Sequence, residues 1–454
     1  MEKAAERQPF LLGNSALSVF AKFPLSDFTI IPTIFRKFVV MKRNLKVTFD
    51  FAREATVMLP ASKSISNRVL VMNALAGGGG KISNVAVCDD TDAMQRALRE
   101  TGDYVNIGAA GTAMRFLTAY FAGCEGRTVT LDGTARMRQR PIGVLVDALR
   151  QCGAKISYEG EAGFPPLRIE GRRLHADGPV ELAGNVSSQY ISALMMVAPY
   201  MDGGLTLRLK GGMISRPYIE MTASLMRRFG GEVEVADGEV RIAPQRYAVT
   251  DFSVESDWSA ASYWYEMQTL IPQLKVRLSG LQQRSVQGDS RVVEFFACFG
   301  VETAYAEEGV ALNCPAGQRP ARVDFDLSGQ PDLAQTLVVT ACLADIPFRM
   351  TGLSTLKIKE TDRIEALRSQ LAKLGYPLDV EPDYSLRWDG RRTKPQEKPE
   401  IETFDDHRMA MAFAPAAVKF PGLVIRDAGV VSKSYPDYWK HLSDVGFRME
   451  DEEQ

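Results

Sequence analysis

The sequence predicts an α/β protein made of two halves, each of three βαββαβ units, with the first unit shortened by a hairpin. Three observations predict this: an arm of strand, polar turn, helix and return strand that recurs six times, six largely apolar helices that interleave with the arms, and the spacing of those helices. At 454 residues the chain is long enough for two or three domains with sizeable cores.

The pattern does not begin at once. Residues 1–40 hold a phenylalanine-rich stretch broken by Pro24 and Pro32, which interrupt any long amphipathic helix. Glu2, Glu6 and Asp27 are unlike an acidic-poor transit peptide, and the apolar runs are too short and broken for a signal peptide. These residues are expected to form a non-native or disordered extension, with translation starting at Met41. From there Leu45, Val47 and Phe49 alternate as in a strand.

The arms start at Ile82 (a weaker copy), Thr128, Leu205, Val276, Phe348 and Leu423. In each, a helix of about a dozen residues is expected. Gly153, Gly230, Gly300, Gly375 and Gly446 follow five of these helices, as residues that must take positive φ there. Between the arms lie helices beginning SKSISNR (Ser62), GTAMRFL (Gly111), SSQYISA (Ser187), DWSAASY (Asp257), PDLAQTL (Pro331) and DDHRMAM (Asp405). Their apolar bodies read as buried helices, and their Ser, Thr and Asp starts as N-caps. Free N–H groups at such starts attract anions.

The six starts are separated by 49, 76, 70, 74 and 74 residues. The first interval is short by roughly one hairpin of ordinary strands. Later units carry that hairpin, as in FPPLRIEGRRL from Phe164, whereas Gly102 and Gly111 leave no room for it. A boundary is expected near Glu255 and another near Leu59. Residues 41–60 with 256–454 then form one domain and 61–255 the other, joined by two crossing segments. The charged, proline-rich stretch 391–402 reads as a loop within the last repeat.

A net charge of −2, from 54 Lys and Arg against 56 Asp and Glu, excludes a protein that coats nucleic acid or an anionic membrane. Apolar runs such as Ala193–Met201 and Met409–Val418 fall short of the roughly 18 residues of a membrane span. Six scattered cysteines and three histidines argue against a zinc site and for free thiols in a reducing cytoplasm.

Polar clusters fall at the helix starts and arm turns: Lys63-Ser64 with Arg68, Gly111-Thr112 with Arg115, Arg136-x-Arg138-x-Arg140, Ser187-Ser188-Gln189 and Ser215-Arg216-Pro217-Tyr218. The second half adds Gln287-Gly288-Asp289, Asp332, Lys357-x-Lys359-Glu360-Thr361-Asp362-Arg363, Asp406-His407-Arg408 and Ser432-Lys433-Ser434. Each alone also fits a capped helix or a solvated turn. Recurrence at one repeat phase points further, because equivalent turns of a repeat emerge on one face. Basic turns of both halves are thus expected to close on a small polyanion.

LPASKSISNR, AAGTAMRFL, RMRQRPI, NVSSQYISALMM, SRPYIEMT, QGDSR, PDLAQT, KIKETDRIEAL, DDHRMAMAF and VSKSYPDYW closely resemble the 5-enolpyruvylshikimate-3-phosphate synthase family, in its motif order over roughly residues 45–447. The resemblance implies two inverted domains of three βαββαβ units, the enolpyruvyl transferase fold. It also implies transfer of the enolpyruvyl group of phosphoenolpyruvate to the 5-hydroxyl of shikimate 3-phosphate with release of phosphate, on the route to chorismate and aromatic amino acids. No metal or organic cofactor, nucleic acid or membrane is implied, and the protein is expected to be a cytoplasmic monomer.

By the same resemblance, Lys63, Ser64, Arg68, Ser187, Ser188, Gln189, Ser215, Tyr218, Asp332, Thr355 and Lys359 surround shikimate 3-phosphate. Lys63, Gly111, Arg140, Gln189 and Lys433 hold the phosphate of phosphoenolpyruvate, and Arg363 and Arg408 clamp its carboxylate. Asp332 resembles the proton acceptor at the 5-hydroxyl and Glu360 its partner in proton transfer at the methylene carbon; Lys63 completes the catalytic set. Both acids are expected to be ionised among these cations.

The sequence departs from the family pattern at Ala109, commonly Asn; at Phe116, commonly Pro; and at Thr355, commonly Asn. UDP-N-acetylglucosamine enolpyruvyl transferase is the nearest alternative, but TARMRQRP lacks that family's arm-loop Cys. An RNA-terminus-binding repeat protein is a second, disfavoured by neutral net charge and the lack of an aromatic–basic stretch.

Overall fold

The computed structural model describes residues 43–452 except 185, 212 and 316–318. The expected extension over residues 1–40, with the start at Met41, lies outside the described residues. The α-helices in chain order are α1 (Lys63–Leu75), α2 (Asp89–Arg99), α3 (Gly111–Ala122), α4 (Gly143–Gln151), α5 (Ser188–Val197) and α6 (Arg216–Arg228). The second half continues with α7 (Trp258–Leu270), α8 (Val292–Ala297), α9 (Ala334–Leu343), α10 (Arg363–Lys373), α11 (His407–Phe413) and α12 (Tyr438–Asp444). The odd-numbered helices are the apolar ones of the sequence pattern, and the even-numbered ones belong to the arms. Among the described residues no helix is long and apolar enough to cross a membrane.

Four inner helices are capped as their sequences require. Ser62 accepts from Ile65 N, Ser187 from Gln189 N, Asp257 from Ser259 N and Ala260 N, and Asp406 from Arg408 N. The last cap is Asp406, one residue later than the expected start at Asp405. At Pro331 a 3-10 turn, Pro331–Leu333, precedes α9. The five glycines after arm helices all take positive φ, from 81° at Gly153 to 109° at Gly446. Two arm helices are shorter than expected, α8 with 6 residues and α12 with 7. Tight 3-10 turns, Gly288–Arg291 and Ala428–Lys433, take up the chain before them.

Among the described residues the strands form five four-stranded sheets and one two-stranded sheet, Ile82–Ser83 beside Phe252–Ser253. That small sheet is the unit predicted to lack a hairpin. The structure corrects one detail of this unit. The strand after α2, Tyr104–Asn106, does not return to its own arm but pairs in parallel with Thr128–Asp132 of the next sheet. With no residues for a hairpin before Gly111, the chain passes from α2 directly into that sheet.

Buried apolar side chains form two clusters. One runs from Ala61 to Val254; the other unites Leu45–Leu59 with side chains from Trp258 to Phe447. The chain crosses between them twice. Strand Ala55–Met58 pairs in parallel with Val276–Ser279 before the chain enters α1, and Phe252–Ser253 precedes α7. The crossing segments meet: Ser62 N donates to Glu255 O at 2.8 Å and Asp257 N to Pro60 O at 2.9 Å. Gln287 pins this crossing, its Oε1 accepting from Trp258 N at 3.1 Å and its Nε2 donating to Ser256 O at 2.8 Å.

In α7, Glu266 is 0% exposed and, among the described residues, neither carboxylate oxygen has a partner. Burial pushes its pKa well above the ordinary value, so the folded protein holds a proton there that the unfolded chain releases. Stability therefore falls as pH rises above the unfolded value of about 4.3, by roughly 1.4 kcal/mol per pH unit until the folded pKa is reached. Glu266→Gln is expected to melt higher than the parent at pH 8, with the gap closing towards pH 4. Thermal melts across that range test it, and a gap independent of pH would contradict it.

Candidate active site

The helix starts and arm turns converge on one cavity between the two apolar clusters. The first half contributes Lys63, Ser64 and Arg68 from α1, Gly111, Thr112 and Arg115 from α3, and Arg140 before α4. Ser187, Ser188 and Gln189 enter at α5, with Ser215 and Tyr218 at α6. The second half contributes Asp332, Thr355, Lys359, Glu360, Arg363, His407 and Arg408. Sixteen of the seventeen site residues expected from the sequence line this cavity. The exception is Lys433, whose Nζ donates to Asp405 O at 2.6 Å, while its neighbour Ser434 lines the wall.

The halves touch around the cavity. Ser215 N donates to Ser328 O at 3.0 Å, Arg136 Nε to Glu360 O at 3.1 Å, and Ser432 Oγ to Asp89 Oδ2 at 2.6 Å. Ser215 reaches its partner with φ of 57°, an uncommon conformation for a residue with a side chain. Gly288 lets the second half approach the start of α6, since a Cβ there would lie 2.3 Å from Pro217 Cβ.

The lining carries seven Lys and Arg against four Asp and Glu. Two of the cations stand out because, among the described residues, no carboxylate pairs with either. Arg68 donates to Thr222 Oγ1 at 2.8 Å, Ser64 O at 2.9 Å and Ser192 Oγ at 3.1 Å, and its guanidinium lies 5.2 Å from the Phe116 ring centroid. Arg115 donates to Gly111 O and Pro141 O, both at 3.1 Å. Burial pushes both down to about 10, Arg140 adding to the effect at Arg115. A buried charge without a counter-charge is costly, and an incoming anion removes that cost.

The acids, by contrast, are caged. Asp332 Oδ1 lies 3.2 Å from Arg363 Nη1 and 3.6 Å from Lys359 Nζ, and Oδ2 accepts from Arg408 Nη2 at 2.8 Å. Glu360 accepts from Arg363 Nη2 at 2.9 Å and lies 3.9 Å from Arg140. Burial opposes ionisation of both, but Arg408, Lys359 and Arg363 hold Asp332, and Arg363 and Arg140 hold Glu360, well below the carboxylate range. Arg363 has its donors on three protein carboxylates, Asp332, Glu360 and Asp406. Any incoming carboxylate must therefore compete for it.

Lys63 sits 3.4 Å from Asp90; burial opposes its charge, but Asp90, Cys88 and Glu360 together outweigh this and hold its pKa above the ordinary value. Lys359 is pushed down by burial, with Asp332 opposing. The Thr355 hydroxyl is buried without a partner among the described residues. Gln189 donates to Thr112 Oγ1 at 3.2 Å.

Several lining residues carried no assigned role in the sequence: Asp90, Arg115, Tyr190, Ser259, Tyr263 and His407. Arg115 and His407 stood inside polar clusters and were within reach of sequence reasoning. Asp90 lies in the first turn of α2, where an acidic residue needs no ligand to account for it, and nothing in the sequence of α7 sets Ser259 and Tyr263 apart from their neighbours. His407 is neutral, pushed well below its usual pKa by burial and then by Lys63 and Arg408.

A Cβ on Gly111 would lie 2.5 Å from Arg140 Nη1. Gly111→Ala is therefore expected to displace that guanidinium and weaken the binding of inorganic phosphate, used as a probe, about tenfold, about 1.4 kcal/mol. Calorimetric titration of the parent and the variant with phosphate checks it.

The family model described as EPSP synthase (3-phosphoshikimate 1-carboxyvinyltransferase) matches residues 52–106 and 100–442. A 3-phosphoshikimate 1-carboxyvinyltransferase of Bacteroides fragilis (strain YCH46) is 53% identical over 395 residues, 87% of this chain and 96% of that protein. One from Bordetella pertussis is 39% identical over 428 residues, covering 84% and 93%. Among solved structures, the EPSP synthase of Acinetobacter baumannii aligns with a TM-score of 0.70 at 19% identity, over 90% of this chain and 100% of that one. The enolpyruvyl transferase NikO of Streptomyces tendae gives 0.68 at 14% identity, over 91% and 100%. Both share the fold, and the chain belongs to the EPSP synthase (3-phosphoshikimate 1-carboxyvinyltransferase) family.

Proposed function

We propose that this chain transfers the enolpyruvyl group of phosphoenolpyruvate to the 5-hydroxyl of shikimate 3-phosphate and releases phosphate. The observation that carries this reading is the charge pattern of the cavity: two ionised carboxylates inside a cage of buried cations, with Arg68 and Arg115 lacking any counter-charge among the described residues. Such a cavity suits two small anions and the proton transfers between them.

In this reading Lys63, Ser64, Arg68, Ser187, Ser188, Gln189, Ser215, Tyr218, Thr355 and Lys359 bind shikimate 3-phosphate beside Asp332. Lys63, Gly111, Arg140, Gln189 and Lys433 receive the phosphate of phosphoenolpyruvate, and Arg363 and Arg408 its carboxylate, matched by planar guanidinium groups. Asp332 takes the hydroxyl proton as the new C–O bond forms, and a proton reaches the methylene carbon to give a tetrahedral intermediate. In the second step that carbon gives up a proton, phosphate leaves with its bridging oxygen, and the double bond returns. Glu360 is the partner of Asp332 in these transfers, and Lys63 balances charge at the departing phosphate.

Residues 41–60 with 256–454 and residues 61–255 act as two domains that close on the substrates, in a cytoplasmic monomer. Phosphate release on adding phosphoenolpyruvate with shikimate 3-phosphate, and none with UDP-N-acetylglucosamine, is the expected result. Release with the nucleotide sugar alone would overturn the acceptor assignment.

A further inference from the structure

The Gln287-Gly288-Asp289 motif contains a buried acid that the reaction above does not use. Asp289 is 4% exposed. Its Oδ1 accepts from the Tyr218 hydroxyl at 3.3 Å, and its Oδ2 accepts from the Ser259 hydroxyl in a short contact. The same Tyr218 hydroxyl lies 3.4 Å from Asp332 Oδ2. A phenol has one proton to donate, and burial together with the two acids keeps that proton on Tyr218. Tyr218 therefore serves one carboxylate at a time.

The two carboxylates are unequal. Asp332 is held by Arg363, Lys359 and Arg408, whereas no cation among the described residues forms an ion pair with Asp289. The groups that face Asp289 are Tyr218 from α6, Ser259 from α7 and Asp257 from its N-cap, Asp332 from the turn before α9, and Arg408 from α11. Burial, followed by repulsion from Asp332, pushes its carboxyl up to about 6.

We propose that Asp289 is a positioning residue that acts through the Tyr218 hydroxyl to set how readily Asp332 takes the proton of the acceptor hydroxyl. This rests on the assignment of Asp332 as the base. With a proton on Asp289, its O–H is donated to the Tyr218 oxygen and the Tyr218 O–H is donated to Asp332, which occupies a lone pair of the base. When Asp289 loses that proton to solvent, Tyr218 turns its hydrogen to Asp289. Asp332 Oδ2 is then released from that hydrogen bond, and its proton affinity rises.

The test is the pH dependence of phosphate release from shikimate 3-phosphate and phosphoenolpyruvate. The parent is expected to show a rise in kcat between about pH 5 and 7. Asp289→Asn donates to Tyr218 as the protonated acid does and does not titrate. It is expected to lose that rise, with kcat about tenfold lower at pH 7.5 and both KM values within about twofold. In a Tyr218→Phe background the substitution is expected to have no further effect on the pH profile. Should Asp289→Asn fail to bind shikimate 3-phosphate in calorimetry, Tyr218→Phe alone carries the test and is expected to lose the same rise. Retention of the rise in either variant overturns the proposal, as does an undiminished effect of Asp289→Asn in the Tyr218→Phe background. A parent that releases no phosphate at any pH overturns the reaction assignment instead.

Discussion

Asp332→Ala is expected to lower kcat by roughly 10²- to 10⁴-fold, the span typical of losing a general base, while shikimate 3-phosphate still binds. The geometry predicts this split. Asp332 is in contact with Arg363, Lys359 and Arg408 at once, so its removal frees positive charge in the wall of the cavity. Two anionic substrates then meet a more cationic site, and their KM values are expected to stay level or fall. A side chain whose role was structural would move both parameters in the unfavourable direction. Steady-state phosphate release gives kcat, and calorimetric titration with shikimate 3-phosphate gives affinity without turnover. A variant with near-normal kcat would remove Asp332 from the chemistry, leaving Glu360 as the acid to examine.

The parts of this architecture legible in the sequence are those that local physics dictates. Gly153, Gly230, Gly300, Gly375 and Gly446 were readable because a helix end with positive φ favours glycine, and all five take it. The shortened first unit was readable from counting residues between Ser62 and Gly111. Where Tyr104–Asn106 would pair was not, because three residues have no periodicity and their partner is set by the neighbouring sheet. In the site, the cations were visible as clusters at one repeat phase, but their pairing was not. That Arg363 is shared among Asp332, Glu360 and Asp406 depends on three segments meeting in space. The same holds for Asp90, which carried no role in the sequence and which the fold sets beside Lys63.

Phe116 shows how a departure from a family pattern acquires a physical reading. It is fully buried and lies under the Arg68 guanidinium, which otherwise touches neutral oxygens. The ring face offers the cation an electrostatic contact that a proline lacks. Stacking fixes the plane of the guanidinium without neutralising it, so the charge stays available to an anion.

Arg68→Met is accordingly expected to separate stability from binding. Methionine keeps an unbranched apolar stem for packing and removes the uncompensated charge. The hydroxyls it leaves behind are not orphaned: Ser192 Oγ and Thr222 Oγ1 lie 2.9 Å apart, and Thr222 Oγ1 donates to Tyr218 O at 2.8 Å. The unliganded variant is therefore expected to melt at the same temperature as the parent or a few degrees higher. KM for shikimate 3-phosphate is expected to rise at least about 100-fold, roughly 3 kcal/mol, the scale of a charge-assisted contact in a buried site. Binding of the ligand stabilises the folded state in proportion to its affinity, so the upward shift in melting temperature that shikimate 3-phosphate gives the parent should vanish in the variant. A lower melting temperature without ligand would mean that Arg68 is a structural cation whose neutral partners suffice to stabilise it. Parent-like affinity would place the phosphate elsewhere in the cavity and leave Arg115 as the unpaired charge that receives it.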